Sequence, residues 1–285
     1  MSEEKRACDV CPHRCQLSEG QTGLCRARGL RDGKNVPLNY GLVSSLALDP
    51  IEKKPLARYY PGSAILSVGS FGCNLRCPFC QNWEISMSDG REYLREPSRY
   101  TISPERLAAL ADELRARGNI GVAFTYNEPL IGWEYVRDTA ELLRERELKT
   151  VLVTNGCVNE EIAEQILPLT DALNIDLKCF RPETYTKKLG GELETVKRFI
   201  EKAAERCHVE LTTLLVPGLN DSEEEIRALT AWIASLSNGE DIPLHLTRFF
   251  PRYQMRDRQA TERQSVLRFA TLARERLRWV YPGNM

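Results

Sequence analysis

Residues 70–83 read SFGCNLRCPFCQNW and follow SAILSV, an apolar segment typical of a buried strand. Cys73, Cys77 and Cys80 fall within eight positions, and no fourth cysteine completes the local group. Three thiolates can bind three irons of a 4Fe–4S cluster and leave the fourth iron open to a small molecule. The alternative is a structural zinc or an electron-transfer cluster whose fourth ligand lies elsewhere in the chain.

The segments after residue 63 alternate between apolar strands and amphipathic helices. The predicted strands are SAILSVGS, GVAFT, KTVLVT, ALNIDL, HVELTTLLV and PLHLTRF, and the predicted helices cover 103–118, 133–147, 159–167, 182–206, 221–236 and 260–276. Such alternation predicts βαβ units around a buried parallel sheet. Since six units fall short of the usual eight-stranded closure, we predict an α/β fold with a partial (βα)6 TIM-like barrel. A doubly wound sheet is the alternative.

A second cysteine cluster precedes the barrel. Cys8, Cys11, Cys15 and Cys25 lie in a glycine- and arginine-rich segment with little apolar periodicity. Four soft ligands at this spacing predict a small metal-binding knuckle. Zinc would make it a structural site and is slightly favoured over a second 4Fe–4S cluster, which would serve as an electron relay or a substrate anchor. We therefore divide the chain into a Cys-rich knuckle (1–30), a loop-rich connecting segment with at most one or two short strands (31–62), and the barrel (63–285).

Composition limits the possible classes of function. The 285 residues carry a net charge of −1, which argues against bulk nucleic-acid binding. No apolar run approaches the ~20 residues that cross a bilayer, so we expect no membrane association. The N-terminus lacks the apolar core of a signal peptide, so a cytoplasmic location is expected. Ten cysteines in that compartment indicate metal ligation rather than disulfides.

The cysteine loop matches the pattern C-x3-C-x-aromatic-C through Cys73, Cys77, Phe79 and Cys80. In this the chain resembles the radical S-adenosylmethionine (SAM) superfamily. TYNEP, Thr125 to Pro129, resembles the position of that superfamily's GGE motif, whose backbone holds the SAM amino group. Tyr126 and Asn127 stand in place of the glycines, and Glu128 keeps the acid.

Later strand ends extend the resemblance to the activating enzymes of glycyl-radical enzymes. VTNG and NIDLK resemble their third and fourth strand ends, which implies that Thr154, Asn155, Asp176 and Lys178 contact the methionine and ribose parts of SAM. LLVPGLND resembles the segment that flanks the adenine, which includes Val216. Phe79 is interpreted as a cover for the adenine or as a core residue. His245 is interpreted as a contact to SAM or substrate, or as a satisfied core histidine.

The resemblance also implies a reaction. SAM chelates the open iron, and a reduced cluster cleaves its sulfonium to methionine and a 5′-deoxyadenosyl radical, which abstracts hydrogen from an unidentified substrate. A flavodoxin- or ferredoxin-type protein supplies the electron. Activation of a glycyl-radical enzyme is the alternative within this class. A non-catalytic electron-transfer or scaffold module that uses iron–sulfur or zinc is the alternative from another class.

Several strings in order narrow the resemblance. CDVCPHRCQLSEGQTGLC, LDPIEKKPLARYYPGS and GCNLRCPFCQNWEIS look like the AmmeMemoRadiSam-system radical SAM enzymes, relatives of pyruvate formate-lyase activating enzymes. That family's name implies Memo-like or AMMECR-like partners, or a protein substrate. Members commonly continue beyond a segment resembling RWVYPGN with another cysteine-containing segment, whereas this sequence ends at Met285. Lys53, Lys54 and Arg58 are candidates for binding an acidic substrate or partner, although charge runs usually form solvated surfaces. Cys157 and Cys179 are interpreted as buried fillers, with hydrogen donation to a substrate radical as the alternative.

Overall fold

The computed structural model describes residues 5–88 and 100–285, except the side chain of Tyr100. Numbered along the chain, the described strands are β1 (Arg6–Ala7), β2 (Gln16–Leu17), β3 (Arg28–Arg31), β4 (Lys34–Pro37), β5 (Leu42–Val43), β6 (Ser45–Pro50), β7 (Ala64–Gly69), β8 (Tyr100–Thr101), β9 (Asn119–Phe124), β10 (Lys149–Thr154), β11 (Ala172–Asp176), β12 (His208–Leu215), β13 (Leu244–Arg248) and β14 (Val280–Gly283). Three small antiparallel pairs, β1–β2, β3–β4 and β5–β8, accompany one large sheet within these residues.

The large sheet has the order β14-β13-β12-β11-β10-β9-β7-β6. All neighbours pair in parallel except β6, which runs antiparallel to β7. The strand order follows the chain without a reversal, so the sheet is singly wound and the doubly wound alternative is not formed. Since β6 and β14 are the two edges, the prediction of a partial TIM-like barrel is confirmed. The sequence patterns missed two of its strands, β6 and the four-residue β14.

Helices cover the connections between the parallel strands. They are α1 (Trp83–Ser86), α2 (Pro104–Glu113), α3 (Trp133–Glu145), α4 (Glu160–Ile166), α5 (Pro182–Thr184), α6 (Leu193–Ala204), α7 (Glu223–Ala234) and α8 (Arg263–Ala273). In α2, the Ser103 side chain accepts a hydrogen bond from the Arg106 N–H, and Gly118 ends the following 3-10 turn at φ +82°. The bounds 103 and 118 predicted from the sequence are therefore confirmed. Among the described residues, no helix is long and apolar enough to cross a bilayer.

The helix predicted over 182–206 is wrong, because two glycines interrupt it. After α5 a π-helical turn covers Tyr185–Leu189, and Gly190 then adopts φ +71° before α6 begins. A Cβ on Gly191 would lie 2.5 Å from the Leu75 side chain, and the Leu189 carbonyl accepts the Arg76 N–H at 2.7 Å. The break therefore lets the cysteine loop approach the backbone closely.

The connecting segment contains more strand than expected. Residues 31–62 hold β4, β5, β6 and the end of β3, so the expectation of at most one or two short strands is wrong. Asp32 and Gly33 join β3 to β4 with φ values of +50° and +67°, a conformation that an Asp-Gly hairpin turn favours. β6 extends the barrel sheet itself. The division into three segments at residues 30 and 62 stays a prediction.

The segment 51–58 closes the N-terminal end of the barrel, and we call it the floor. Ile51 and Leu56 are fully buried and pack in one cluster with the inward-facing side chains Ile65, Ala123, Val151 and Ala172. The buried Glu210 carboxylate accepts the N–H groups of Ala57 and Arg58 at 2.9 and 2.7 Å. Apolar packing and charge-assisted hydrogen bonds together hold the floor against the strands.

Candidate functional site

An open cavity of about 1290 Å³, counting the solvent space at its mouth, lies inside the barrel between the cysteine loop and the floor. Most of the site residues predicted from the sequence line it. These are Cys73, Cys77, Phe79, Cys80, Thr125, Tyr126, Asn127, Glu128, Thr154, Asn155, Asp176 and Lys178. They come from the loops and carboxyl ends of β7, β9, β10 and β11, where parallel α/β folds carry their chemistry.

The backbone of the cysteine loop turns so that its three thiols face this cavity. The Leu75 N–H donates to Cys73 Sγ at 3.4 Å, and the Cys80 N–H donates to the Cys77 carbonyl at 3.2 Å. Burial raises the pKa of the Cys77 thiol to about 12, although the nearby Lys178 ammonium opposes this. The thiol is therefore protonated at neutral pH until it binds a metal and loses its proton.

The donor set fits a 4Fe–4S cluster with one iron left open. Cys73, Cys77 and Cys80 line the cavity, and no other cysteine of the described residues does so. Soft thiolates are the ligands that iron–sulfur clusters use. No group of three or more His, Cys, Asp or Glu side chains within residues 5–88 and 100–285 is arranged to enclose a metal ion. Each thiol of a cluster binds a different iron, so cluster ligands lie around a larger object than one ion.

The TYNEP segment clamps the cysteine loop. Asn127 accepts the Ser70 N–H at 2.9 Å and donates to the carbonyls of Phe71 and Gly72 at 3.1 Å each. Asn82, two residues after Cys80, donates to the Tyr126 carbonyl at 2.7 Å. Asn127 thus binds the backbone immediately before Cys73, a role that the spacing of the motif alone did not reveal.

The carboxylate of Glu128 joins two strand ends. It is 2% exposed and accepts hydrogen bonds from Thr154 Oγ1 and the Asn155 N–H, both at 2.7 Å, and from the Leu130 N–H at 3.0 Å. Burial raises the pKa of Glu128 to about 7, and these hydrogen bonds oppose the rise. Glu128 therefore links the end of β9 to the end of β10, next to the cysteine loop.

Asp176 and Lys178 form an ion pair at the end of β11. Lys178 Nζ lies 2.9 Å from Asp176 Oδ2, and both residues line the cavity. Burial disfavours the charged form of Lys178, but Asp176 and Cys77 outweigh burial and raise its pKa. The lysine therefore stays protonated beside the thiols and can bind an anionic ligand group there.

Two predicted contacts, Val216 and His245, lie outside the cavity lining. Val216 is fully buried and its N–H donates to Asn220 Oδ1 at 2.7 Å. His245 Nε2 lies 2.6 Å from Glu210 Oε2, and its ring stacks on Tyr281. The structure therefore places His245 with the carboxylate that holds the floor, as a satisfied interior histidine.

Other residues line the cavity without having been predicted from motifs. Thr212 and Leu214 line it from β12 and Thr247 from β13. Within β12 they alternate with outward-facing residues, because successive strand residues point to opposite faces. The alternation of residues in HVELTTLLV was the sequence signal that could have indicated Thr212 and Leu214, although it does not show which face of the strand points into the barrel. Lys53, Lys54 and Pro55 line the cavity from the floor.

The four knuckle cysteines lie together beside the cysteine loop. The Cys8 N–H donates to the Cys15 carbonyl at 2.9 Å, and burial, with smaller contributions from Cys8 and Cys15, raises the pKa of Cys25. Burial also raises the pKa of Cys11 to about 12, with Cys25, Cys157 and Cys8 adding to it. The charges of these thiols influence one another, although no three of them are arranged around a single ion, and none of the four lines the barrel cavity.

The knuckle and the cysteine loop are joined by direct hydrogen bonds. The Cys73 N–H donates to the Cys25 carbonyl at 3.2 Å, and His13 Nε2 lies 2.8 Å from the Asn74 carbonyl oxygen. Asn74 in turn donates to the Cys157 carbonyl at 2.6 Å. Cys157 and Cys179 are buried and do not line the cavity, in keeping with their interpretation as fillers.

The chain is similar in sequence to known proteins. The sequence profile described as the Radical SAM superfamily matches residues 67–230. The chain is 35% identical over 287 residues to the uncharacterized protein MJ0808 of Methanocaldococcus jannaschii, covering all of this chain and 83% of that protein. It is 27% identical over 190 residues to the pyruvate formate-lyase-activating enzyme of Staphylococcus epidermidis, covering 61% of this chain and 72% of that enzyme.

A solved structure shares the fold. The S-adenosylmethionine-bound SuiB of Streptococcus suis aligns with a TM-score of 0.57 at 12% identity, over 78% of this chain and 52% of that one. At this level of identity the similarity concerns the fold alone.

Proposed function

This chain belongs to the radical SAM superfamily, and on that premise we propose that it cleaves SAM reductively and abstracts hydrogen from a substrate held in the barrel. The observation that carries the proposal is the convergence of three thiols on one cavity with no fourth cysteine among its lining residues. When bound, a 4Fe–4S cluster with SAM supplies one-electron cleavage of the sulfonium and a 5′-deoxyadenosyl radical.

The chain's own residues hold, orient and enclose that chemistry. Cys73, Cys77 and Cys80 would hold the cluster, and Asn127 fixes the backbone that carries the first of them. Lys178 would bind an anionic group of the cofactor, and Phe79, 4% exposed, would cover an aromatic one. The floor closes the far end of the cavity, which keeps water from a reactive radical. A flavodoxin- or ferredoxin-type donor would supply the electron.

The direct test is an anaerobic assay of the reconstituted protein with SAM and dithionite. We expect 5′-deoxyadenosine and methionine to form in equal amounts, measured by chromatography. An intact cluster, seen in the absorption and EPR spectra, without any SAM-dependent product would contradict the proposal.

Replacement of one loop thiol separates this chemistry from folding. Cys77→Ala removes one of three cluster ligands, so we expect cleavage to disappear together with the loop cluster. Cys207→Ala is the matched control, since Cys207 is a partly buried thiol that does not line the cavity. Cleavage that survives in Cys77→Ala would refute the assignment of the loop.

We also propose that Cys8, Cys11, Cys15 and Cys25 bind a second metal site, with zinc favoured over a second 4Fe–4S cluster. A closed four-cysteine site is typical of structural zinc. Metal analysis of the Cys73→Ala/Cys77→Ala/Cys80→Ala triple variant tests this. Residual zinc supports the proposal, residual iron favours the second cluster, and a metal-free variant contradicts both.

A protein substrate is a second candidate within the same chemistry. The similarity to a pyruvate formate-lyase-activating enzyme favours it, and the further substrate would then be a glycine of a partner enzyme.

Membership of the AmmeMemoRadiSam group and Memo-like or AMMECR-like partners stay predictions. A glycyl-radical doublet in the EPR spectrum of a mixture with a purified Memo-like protein would support activation, and cleavage without that signal would count against this partner.

A further inference from the structure

Two adjacent lysines form part of the floor, at the end of the cavity away from the cysteine loop. Lys53, Lys54 and Pro55 line the cavity. They follow β6, whose last residue, Pro50, pairs with Ala64 at the start of β7. Since the cysteine loop follows the other end of β7, the backbone of the lysines lies at the opposite end of the strand, and the Lys54 side chain reaches the ring of Tyr126.

The backbone around the lysines is anchored on both sides. Ile51 and Leu56 are fully buried against the inner faces of the strands. Asn174 donates to the Pro55 carbonyl at 2.8 Å, and Glu210 binds the next two N–H groups. The position of the lysine pair relative to the cavity is therefore set by the fold.

One carboxylate serves three donors at this place. Lys54 Nζ lies 3.0 Å from Asp49 Oδ2, and Lys53 Nζ lies 3.3 Å from Asp49 Oδ1. The Tyr126 hydroxyl also donates to Asp49 Oδ2, at 2.9 Å, and the Lys54 ammonium stands 4.7 Å above the Tyr126 ring. The two ammonium groups and one carboxylate leave a surplus of one positive charge.

The ammonium groups keep hydrogen-bond donors to spare. Each lysine carries three N–H donors, and Asp49 takes one from each. Within residues 5–88 and 100–285, Asp49 is the carboxylate that pairs with either lysine. Lys54 is 2% exposed, so water replaces few of its missing partners. Lys54 alone would be enough to neutralise Asp49 in a structural ion pair. Lys53 places a second ammonium group on the same carboxylate.

The other charged side chains that line the cavity already have polar partners. Asp176 pairs with Lys178, and Glu128 accepts three hydrogen bonds from its own chain. Burial, together with the neighbouring Lys53, lowers the pKa of Lys54, while Asp49 opposes the fall. Among the described lining residues, Lys178 has a carboxylate partner of its own, whereas Lys53 and Lys54 share one.

We propose that Lys53 and Lys54 bind an anionic group of the substrate, a carboxylate or a phosphate, at the floor of the cavity. Asp49 and Tyr126 act as positioning residues that hold Lys54 in place. The role in catalysis rests on the proposed function, because an anion bound at the floor places the rest of the substrate between the lysines and the cysteine loop. The binding site itself does not depend on SAM cleavage.

Equilibrium dialysis of the reconstituted protein tests the site directly. The probes are inorganic phosphate and succinate, with neutral succinamide for comparison. We expect one saturable site for at least one anion and none for succinamide. Lys53→Glu turns the surplus of charge from positive to negative and is expected to weaken anion binding about tenfold or more. Absence of saturable anion binding by the wild-type protein would overturn the proposal.

Lys187→Glu is the matched control, since Lys187 is an exposed lysine outside the cavity lining. It changes the net charge of the protein equally and should leave anion binding within about twofold. An equal loss in both variants would mean a general charge effect and would overturn the site, as would unchanged binding in Lys53→Glu.

A second variant removes the buried lysine without leaving its partner charged. Asp49→Asn/Lys54→Met replaces the pair together, because Lys54→Met alone would bury an unpaired carboxylate. If the double variant folds and still binds phosphate as tightly as the wild-type protein, the proposal is wrong. If it does not fold, Lys53→Glu decides, since that side chain is 66% exposed.

The two proposals fail in different ways. If anion binding depends on Lys53 but the protein does not cleave SAM, the floor site is supported and the proposed reaction is wrong. If the protein cleaves SAM but binds neither phosphate nor succinate, the proposed reaction stands and the floor site is wrong.

Discussion

The rim of the barrel cavity, at the cysteine loop, differs from its floor in what the polar side chains bind. At the rim the thiols of Cys73, Cys77 and Cys80 face open space, and Asn127 binds backbone around them. At the floor Glu210 is saturated by His208, His245 and two backbone N–H groups. The thiols at the rim are left available to a ligand, whereas the Glu210 carboxylate at the floor has its partners within the protein.

The difference predicts that residues at the rim bind the cofactor and that residues at the floor stabilise the fold. In α/β barrels the carboxyl ends of the strands carry the reaction and the opposite end carries the stability. The floor departs from this rule at one place, where Lys53 and Lys54 share a single carboxylate. Changes at the rim should therefore alter cluster binding, whereas changes at the floor should alter the free energy of unfolding and leave cluster binding intact.

The largest expected effect comes from Gly72, just before the first loop cysteine. Gly72 has φ +84°, and a Cβ there would lie 2.5 Å from the Cys25 carbonyl oxygen and 2.8 Å from the Ala27 Cβ. Gly72→Ala should cost about 3 kcal/mol or more, since strain at positive φ adds to overpacking against backbone. We expect it also to displace the loop, so that iron content after reconstitution falls.

Gly62→Ala is the control for that substitution. Gly62 has φ +80° with open space around it, so strain alone should cost about 1 kcal/mol. Thermal unfolding and iron analysis of both variants provide the measurement. Equal iron content in the two variants would mean that contact between the knuckle and the loop does not position the cluster ligands.

At the floor, Glu210→Gln should lower stability in a pH-dependent way. Burial disfavours its charge, but hydrogen bonds from His208, His245 and two N–H groups outweigh burial and lower the pKa of Glu210 from 4.5 to about 2. Because the pKa of Glu210 is lower in the folded state than in the unfolded state, its carboxylate stabilises the fold at pH values above the unfolded-state pKa. This stabilisation is lost as the pH falls toward the folded-state pKa. The carboxylate therefore contributes about 3 kcal/mol at neutral pH, lost between pH 4.5 and about 2.

Urea unfolding of wild-type and Glu210→Gln proteins across that range measures the contribution. We expect the difference in unfolding free energy to shrink as pH falls, with SAM cleavage at neutral pH retained by the folded variant. A difference that does not depend on pH would show that the charge of Glu210 does not hold the floor.

The smallest effects come from two asparagines that perform similar tasks at opposite ends. Asn127 binds the backbone before Cys73, and Asn174 binds the Pro55 carbonyl and accepts the Thr212 hydroxyl. Each change to Ala should cost about 1–3 kcal/mol, because buried polar groups lose their partners. Asn127→Ala should in addition reduce cluster occupancy, measured by iron content and EPR, and Asn174→Ala should not. The reverse result would contradict the division between rim and floor.

Local patterns were sufficient for much of the fold and of the rim. The strand-and-helix alternation predicted the partial barrel, and the spacing of Cys73, Cys77 and Cys80 predicted a site of three thiols, which line one cavity in the structure. They failed where long-range contacts decide the structure. The segment predicted as a helix over 182–206 contains Gly190 and Gly191, and the close approach of the cysteine loop to these glycines accompanies the break between α5 and α6. β6 was missed because its antiparallel pairing with β7 has no signal in its own residues.

The sequence by itself determined which residues are candidate ligands, because ligand type, ligand spacing and hydrophobic period are properties of neighbouring residues. Tertiary structure alone decided what those residues face. It placed Cys25 against Cys73, turned His245 toward Glu210, and brought Lys53 and Lys54 under the cavity. The physical reason is that such contacts join segments far apart in the chain, and their geometry depends on how the strands pair and which face of each strand points inward.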